Sequence, residues 1–189
     1  MSVAKRLAVA GTILLMILFI VAATVYQDWP PVRANRLVSA AESSDSVIIY
    51  RLQGVDEQST LEVFPILPYD SIHPTYGFRE LKGDDLKGFL DVWKNFPIDH
   101  SRPSIMCHLP VYGLRFFKKE KLIFQTSLCW SCENFYVDTK FFGSNWIGFD
   151  SGSEASRSLL EFCDGLLPYD RGYQERTEKE REAYMKSLE

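Results

Sequence analysis

The sequence predicts an α+β fold, with an antiparallel sheet that carries two helices on one face and is preceded by an N-terminal transmembrane helix. Three observations support this prediction. An uncharged apolar run occupies residues 7–26, a β-rich block occupies residues 104–150, and amphipathic segments lie on both sides of that block. Alternating βαβ units, which would indicate a parallel sheet, are not sustained.

The first segment, residues 1–26, is predicted to be a membrane anchor or a signal peptide. After Lys5 and Arg6, the stretch Leu7 to Tyr26 carries no charge, and as a helix it spans about one bilayer. The apolar region of a secretory signal is usually shorter, roughly 7 to 15 residues, so we favour an anchor. Lys5 and Arg6 would hold the N-terminus in the cytoplasm, which places the rest of the chain outside.

A spacer and the first strands are predicted next. Residues 27–45 contain two prolines and no sustained period, which is typical of a spacer before a domain at residues 46–168. Residues 46–53 are β-branched and predict a strand. Residues 64–70 are extended but hold two prolines, which suggests an edge or irregular segment. Residues 75–83 alternate weakly and predict another strand.

Two amphipathic segments predict helices. Residues 84–96 place Leu86, Phe89, Leu90, Trp93 and Phe96 at helical spacing, and the aspartates at the start of the segment are candidate caps. In the second segment, Ser151 and Glu154 have the spacing of a capping box. The apolar positions of this helix are Ala155, Leu159, Phe162, Cys163 and Leu166.

The β-rich block begins with a predicted hairpin. Residues 104–117 and 121–130 flank the polar sequence KKEK, as expected for two strands joined by a tight turn. Pairing Lys118 with Lys121 sets the register. Further strands are predicted after residue 133.

This register predicts a disulfide between Cys107 and Cys132. The two cysteines fall opposite each other, where Cβ atoms are about 4.5 to 5.5 Å apart, close to disulfide reach. Disulfides persist outside the cytoplasm. Cys107 with Cys129 is the second choice, because Pro110 or a bulge could shift the register. Cys163 lies on the apolar face of the last helix and is expected to be a buried hydrophobe.

The sequence C-W-S-C, residues 129–132, leaves two alternatives open. A thiol-redox motif needs a helix after its first cysteine, whereas the residues that follow here have the composition of a strand. A zinc site could use Cys107, His108, Cys129 and Cys132 as a Cys3His set. Adjacent residues on a strand face opposite sides, so Cys107 and His108 would need a bend between them to share one ion.

Composition narrows the function. The net charge is −4 and the basic residues are dispersed, which argues against nucleic acid as a partner. Residues 169–189 form a charged tail without an apolar stripe. Motifs of hydrolases, zinc proteases and phosphate-binding loops are absent from the sequence. We therefore expect a membrane-anchored extracytoplasmic binding or structural module without catalytic activity or a cofactor of its own, with an envelope protein as its partner. The alternative is a thiol-redox or zinc-binding protein centred on residues 129–132.

Part of the sequence resembles a family of uncharacterised bacterial exported or membrane-anchored proteins. The family pattern is C-x-x-P-x-H-G-[IL]-R, a hairpin, and C-[FW]-x-C. The positions that match are Cys107, Pro110, Gly113, Leu114, Arg115, Cys129, Trp130 and Cys132. Tyr112 replaces the family histidine. The resemblance implies a bacterial inner or cell membrane and a similar architecture, but no reaction.

Overall fold

The computed structural model describes most of the region after residue 30. The described residues are 11–19, 21–22, 30–54, 59–60, 62–69, 71–96, 98–99, 108–138, 145–168, 179 and 186. The chain divides into two compact units, Met1–Ser39 and Ala40–Glu189.

The predicted transmembrane segment, Leu7 to Tyr26, lies only partly within the described residues. Residues 11–19 and 21–22 are helical and exposed. Within the described part of the chain, no helix is both long enough and apolar enough to cross a bilayer. The transmembrane helix therefore remains a prediction.

A helix occupies most of the predicted spacer. Helix α1 runs over Pro30–Glu42, where the sequence indicated only an irregular linker. The two prolines start this helix and do not interrupt it, because proline is favoured in the first turn, where its missing N–H has no intrahelical partner. Alanine and leucine, which are good helix formers, are common in the rest of it.

The second unit contains nine described strands and two further helices. The strands are β1 Ser46–Arg51, β2 Val63–Ile66, β3 Ser71–Pro74, β4 Phe78–Leu81, β5 Ile98–Asp99, β6 Tyr112–Lys118, β7 Lys121–Cys129, β8 Asn134–Asp138 and β9 Asn145–Phe149. The helices are α2 Gly83–Trp93 and α3 Glu154–Leu166. The main sheet has the order β4-β1-β6-β7-β8-β9-β5, and β2 pairs with β3 separately. Every described pair is antiparallel. The predicted α+β class with an antiparallel sheet is confirmed.

The predicted hairpin is present with the predicted Lys118–Lys121 pair, but its register changes further along the strands. Lys118 pairs with Lys121 around a two-residue turn in which Lys119 and Glu120 have φ of 49° and 64°, the backbone of a type I′ turn. A bulge after Phe116 then shifts the pairing by one residue.

The consequence is that the cross-strand argument for the disulfide was wrong. The ladder of β6 and β7 extends only to Tyr112 opposite Leu128, and residues 130–133 turn away from it. Cys132 therefore lies in a turn and not in a strand. Cys107 lies outside the described residues.

The core lies between the sheet and the helices. The Phe89 ring of α2 is 6.0 Å from Phe116 on the sheet and 5.7 Å from Phe162 on α3. Trp93 is 5.3 Å from Phe116 and 6.4 Å from Phe135. The aromatic side chains of the strands that face the helices are thus mainly core.

Both helix starts differ from the predicted caps. Helix α2 begins without a side-chain cap, after Lys82, so its two aspartates lie inside the first turn, where the helix dipole still favours negative charge. Helix α3 is capped by Ser153, whose oxygen accepts a hydrogen bond from the Ser156 N–H. The predicted capping box at Ser151 was wrong.

The β2–β3 hairpin covers the opposite face of the sheet. Phe64 and Ile66 are buried together with Tyr50 and Leu52. A Cβ atom on Gly113 would lie 2.7 Å from the Phe64 ring, so glycine is required for this close approach. The proline-rich segment predicted to be an edge or irregular is therefore a strand, β2, paired with a second strand, β3, that the sequence did not indicate.

Candidate functional site

The candidate site is the turn after β7, with the side chains packed around it. We call residues Cys129–Cys132 the CWSC turn. The Glu133 N–H donates to the Trp130 carbonyl at 3.3 Å, which closes the turn, and Glu133 has φ of 50°. No helix follows, because β8 starts at Asn134. The strand that the sequence indicated after the CWSC turn is therefore present, and the helix of a thioredoxin-like motif is absent from this position.

The sulfur of Cys129 is buried and surrounded by hydrogen-bond donors. Cys129 is a free thiol without exposed surface. The backbone N–H groups of Leu109 and Cys132 each donate to its sulfur at 3.3 Å. The Ser131 hydroxyl oxygen is also 3.3 Å away. Three residues, one of them distant in sequence, thus converge on one sulfur atom.

Cys132 differs from Cys129 in its covalent state. Cys132 is disulfide-bonded, whereas Cys129 and Cys163 are free. The Ser131 hydroxyl oxygen lies 3.8 Å from the Cys132 sulfur, so one hydroxyl is in contact with both a thiol and a disulfide. Burial raises the pKa of the Cys163 thiol strongly, and Cys163 takes no part in this group.

A buried polar cluster lies beside the CWSC turn. We call His108, Ser127 and Asn134 the His108 cluster. The ring Nδ1 of His108 is 2.7 Å from the Asn134 side-chain oxygen, and its Nε2 is 2.7 Å from the Ser127 hydroxyl oxygen. The amide oxygen can only accept, so Nδ1 donates to it, and Nε2 of the neutral ring accepts from Ser127.

The neutral ring is favoured by its surroundings. Burial lowers the pKa of His108 to about 4, and the hydrogen bond to Asn134 opposes this shift. The Trp146 ring packs edge-on at 5.0 Å from the imidazole. Ser127 and Asn134 are themselves buried. The cluster therefore ties residue 108 to β7 and β8 through a neutral imidazole.

These contacts test the Cys3His zinc site that the sequence left open as an alternative. Both ring nitrogens of His108 are hydrogen-bonded, and a cysteine sulfur in a disulfide is not the thiolate that zinc needs. Cys107 lies outside the described residues. Within the described residues, no group of three or more His, Cys, Asp or Glu side chains is placed to hold a metal ion.

The CWSC turn is attached to helix α3. The indole N–H of Trp130 donates to the Ser156 hydroxyl at 3.0 Å and approaches the Ser156 carbonyl at 3.3 Å. The Glu133 carboxylate accepts hydrogen bonds from the N–H and the hydroxyl of Ser151. The turn is thus held between the sheet and the start of the helix.

A second candidate surface is the outward side of the β2–β3 hairpin. The pairing of Val63 with Pro74 and of Pro65 with Ile72 places these four residues on one side, which we call the hairpin outer face. Val63 is 51% exposed and Ile72 is 68% exposed. Because Phe64 and Ile66 alternate with them and are buried, the exposed residues are not part of the core.

Arg115 anchors this hairpin to the sheet. Its guanidinium carbon lies 5.0 Å from the Tyr50 ring centre and 5.1 Å from the Phe64 ring centre. It donates to the Tyr50 hydroxyl, the Gln125 side-chain oxygen and the Val63 carbonyl. Burial raises the pKa of Tyr50, and the arginine opposes the shift. The hairpin outer face is therefore presented on a fixed element.

Sequence reasoning found the cysteines and His108 but missed their partners. Ser127 is 19 residues and Asn134 is 26 residues from His108, and neither belongs to a local motif. The one sequence signal that could have indicated Ser127 and Asn134 is that both lie on predicted strands next to C-W-S-C.

Comparisons with protein-family models, with curated proteins and with solved structures return no match. The family resemblance carried by the cysteine pattern therefore stays a prediction.

Proposed function

We propose that the protein is a membrane-anchored, extracytoplasmic module that binds an envelope protein and has no catalytic activity of its own. The single observation that carries this proposal is the hairpin outer face, where Val63 and Ile72 are exposed on an anchored hairpin. Exposed apolar side chains grouped on one surface are typical of interaction sites. In the proposed arrangement an N-terminal transmembrane helix precedes the domain. Both α2 and α3 cover the face of the sheet opposite the β2–β3 hairpin.

The chemistry of the hairpin favours a protein partner. Residues 62–75 include Glu62 and Asp70 and neither Lys nor Arg. Anionic lipid surfaces attract segments rich in Lys and Arg, which this hairpin lacks. The expected partner surface is apolar with a basic rim.

Two features support a location outside the cytoplasm. The uncharged run from Leu7 to Tyr26 follows Lys5 and Arg6, the pattern of an anchor whose N-terminus stays in the cytoplasm. Cys132 is disulfide-bonded, and disulfides are rare in reducing compartments. Since Cys129 and Cys163 are free, we propose Cys107 as the partner of Cys132 within the chain.

A photo-cross-linking residue at Ile72 tests the binding proposal in cells that make the full chain. We expect a discrete cross-linked protein product, weakened when Val63→Asp introduces a charge into the same face. A cross-linker at Lys87, exposed on α2, is the matched control and should give no such product. Cross-links only to lipid, only to a second copy of this chain, or to nothing would overturn the proposal.

Peptide mapping tests the location and the bridge. Full-length protein is denatured with an alkylating reagent and without reductant, and its peptides are then mapped. A bond between Cys107 and Cys132, with Cys129 and Cys163 alkylated, is expected. A chain with four alkylated cysteines would contradict the oxidising location, and a Cys107–Cys129 bond would favour the second pairing.

The second candidate function is thiol-redox chemistry at the CWSC turn. Its favouring observation is that a free thiol and a disulfide share the Ser131 hydroxyl. The burial of Cys129 is unlike an exposed attacking thiol of an oxidoreductase. Exchange of glutathione with native protein, abolished by Cys129→Ser without loss of folding, would favour this candidate.

A further inference from the structure

The free thiol of Cys129 lies close to the disulfide-bonded Cys132. Its sulfur accepts a hydrogen bond from the backbone N–H of Cys132 at 3.3 Å, and both sulfurs contact the Ser131 hydroxyl. A thiolate attacks a disulfide sulfur and displaces the other sulfur as a thiolate. The arrangement therefore places a potential attacking thiol beside a bond that it can break.

We propose that Cys129 is a resolving thiol that exchanges with the disulfide at Cys132. The Cys129 thiolate attacks the Cys132 sulfur, a Cys129–Cys132 bond forms, and the bond from Cys132 to its present partner breaks. The partner leaves as a thiolate and takes up the proton that Cys129 lost. One disulfide and one thiol exist before and after the step, so no oxidant or reductant is required.

The geometry of the turn supports this product. Residues 130–133 form a turn, and the spacing C-x-x-C is one at which disulfides form in redox proteins. Cys129 ends β7 and Cys132 lies in the turn directly after it, so the exchange joins two side chains of one short segment. Hydrogen bonds are stronger when the acceptor is charged, so the N–H groups of Leu109 and Cys132 can hold the attacking thiolate.

Burial does not prevent this reaction, because both reactants lie in the same turn. It does restrict external thiols, since Cys129 has no exposed surface. The exchange would give the module two disulfide isomers. In one isomer Cys132 is bonded to its present partner, and in the other it is bonded to Cys129 within the CWSC turn. The inference rests on the disulfide at Cys132 and does not need the binding surface.

Full-length protein with its disulfide intact can be incubated at pH 8 without redox reagents, then quenched in acid and alkylated. Trypsin releases residues 122–140 as one peptide that holds both Cys129 and Cys132. We expect a time-dependent fraction of this peptide to carry an internal disulfide. The displaced cysteine should become alkylated at the same rate.

Three variants control the experiment. Cys129→Ser should keep the original bond throughout, and Ser131→Ala should change the rate and not the starting bond. Cys163→Ala removes a thiol outside the turn and should exchange like the wild type. A wild-type peptide that keeps the original bond at Cys132 over the whole time course would overturn the inference and leave the proposed bridge intact. A sample without any disulfide at time zero would overturn both.

Discussion

His108 connects a segment outside the regular sheet to two strands. Its ring bonds to Ser127 on β7 and to Asn134 on β8, and Trp146 on β9 packs against it. An imidazole can make both bonds at once only in the neutral form, with one nitrogen donating and the other accepting. Protonation would place two donors in a buried site, which gives this residue a pH-dependent effect on stability.

We expect the free energy of unfolding to decrease as the pH decreases, because of His108. The pKa of the ring is lowered from 6.5 to about 4 in the folded protein, so the unfolded chain binds more protons between these values. The contribution of the neutral His108 ring to the free energy of unfolding is complete above pH 6.5 and is lost as the pH falls towards 4. Its size is on the order of 3 kcal/mol.

Urea unfolding of wild type and His108→Asn at pH 7 and at pH 4 measures this effect. The free energy of unfolding of wild type should fall more between the two pH values than that of the variant. Ser158→Ala, which changes no titratable group, is the control and should retain the wild-type difference. Equal pH dependence in wild type and His108→Asn would contradict the prediction.

A second residue-scale prediction concerns Gly113. The substitution Gly113→Ala places a Cβ atom 2.7 Å from the Phe64 ring, so the hairpin must move or the ring must rotate. We expect a loss of about 1 to 3 kcal/mol in the free energy of unfolding. In a Phe64→Ala background the cost of the same change should nearly vanish. An unchanged cost in that background would show that the two residues do not interact.

At the scale of elements, helix α3 depends on Ser153 and not on the serine that begins the apparent capping box. The Ser153 oxygen accepts the hydrogen bond at the helix start, and Ser153 also donates to the Asp150 carbonyl. The start of the helix is further fixed by Trp130, which bonds to Ser156. The cap therefore also supports the CWSC turn.

Thermal or chemical unfolding of Ser153→Ala should show a loss of about 1 kcal/mol, the usual cost of removing an N-cap. Ser158→Ala is the control, because this half-buried serine donates to the Glu154 carbonyl of its own helix and should change stability by less than about 0.5 kcal/mol. Similar costs for both variants would argue against Ser153 as the cap.

At the scale of the whole molecule, the domain combines an aromatic core with a disulfide. The disulfide at Cys132 limits the conformations of the unfolded chain, which typically adds about 2 to 5 kcal/mol to stability. We expect Cys132→Ser and Cys107→Ser to be destabilised equally, by that amount. Reductant should lower the melting temperature of wild type and leave both variants unchanged. Unequal losses of stability in the two variants would contradict a bond between these two residues.

The sequence by itself determined the elements whose pattern is local. The α+β class, the hairpin around Lys118 and Lys121 and the helical stripe of Phe89 and Trp93 follow from periodicity, because side chains repeat every two residues in a strand and every 3.6 in a helix. Each of these elements is present in the structure. The helix Pro30–Glu42 was missed because prolines that start a helix were interpreted as prolines that break one.

Only the tertiary structure decided how the candidate site is assembled. A bulge after Phe116 shifted the register, and a bulge depends on packing against neighbouring strands and not on a local motif. The contacts of His108 with Ser127 and Asn134 join residues that are distant in sequence. The donors around the Cys129 sulfur come from two separate segments. Such contacts form when the chain folds back on itself, so they have no period that a sequence can display.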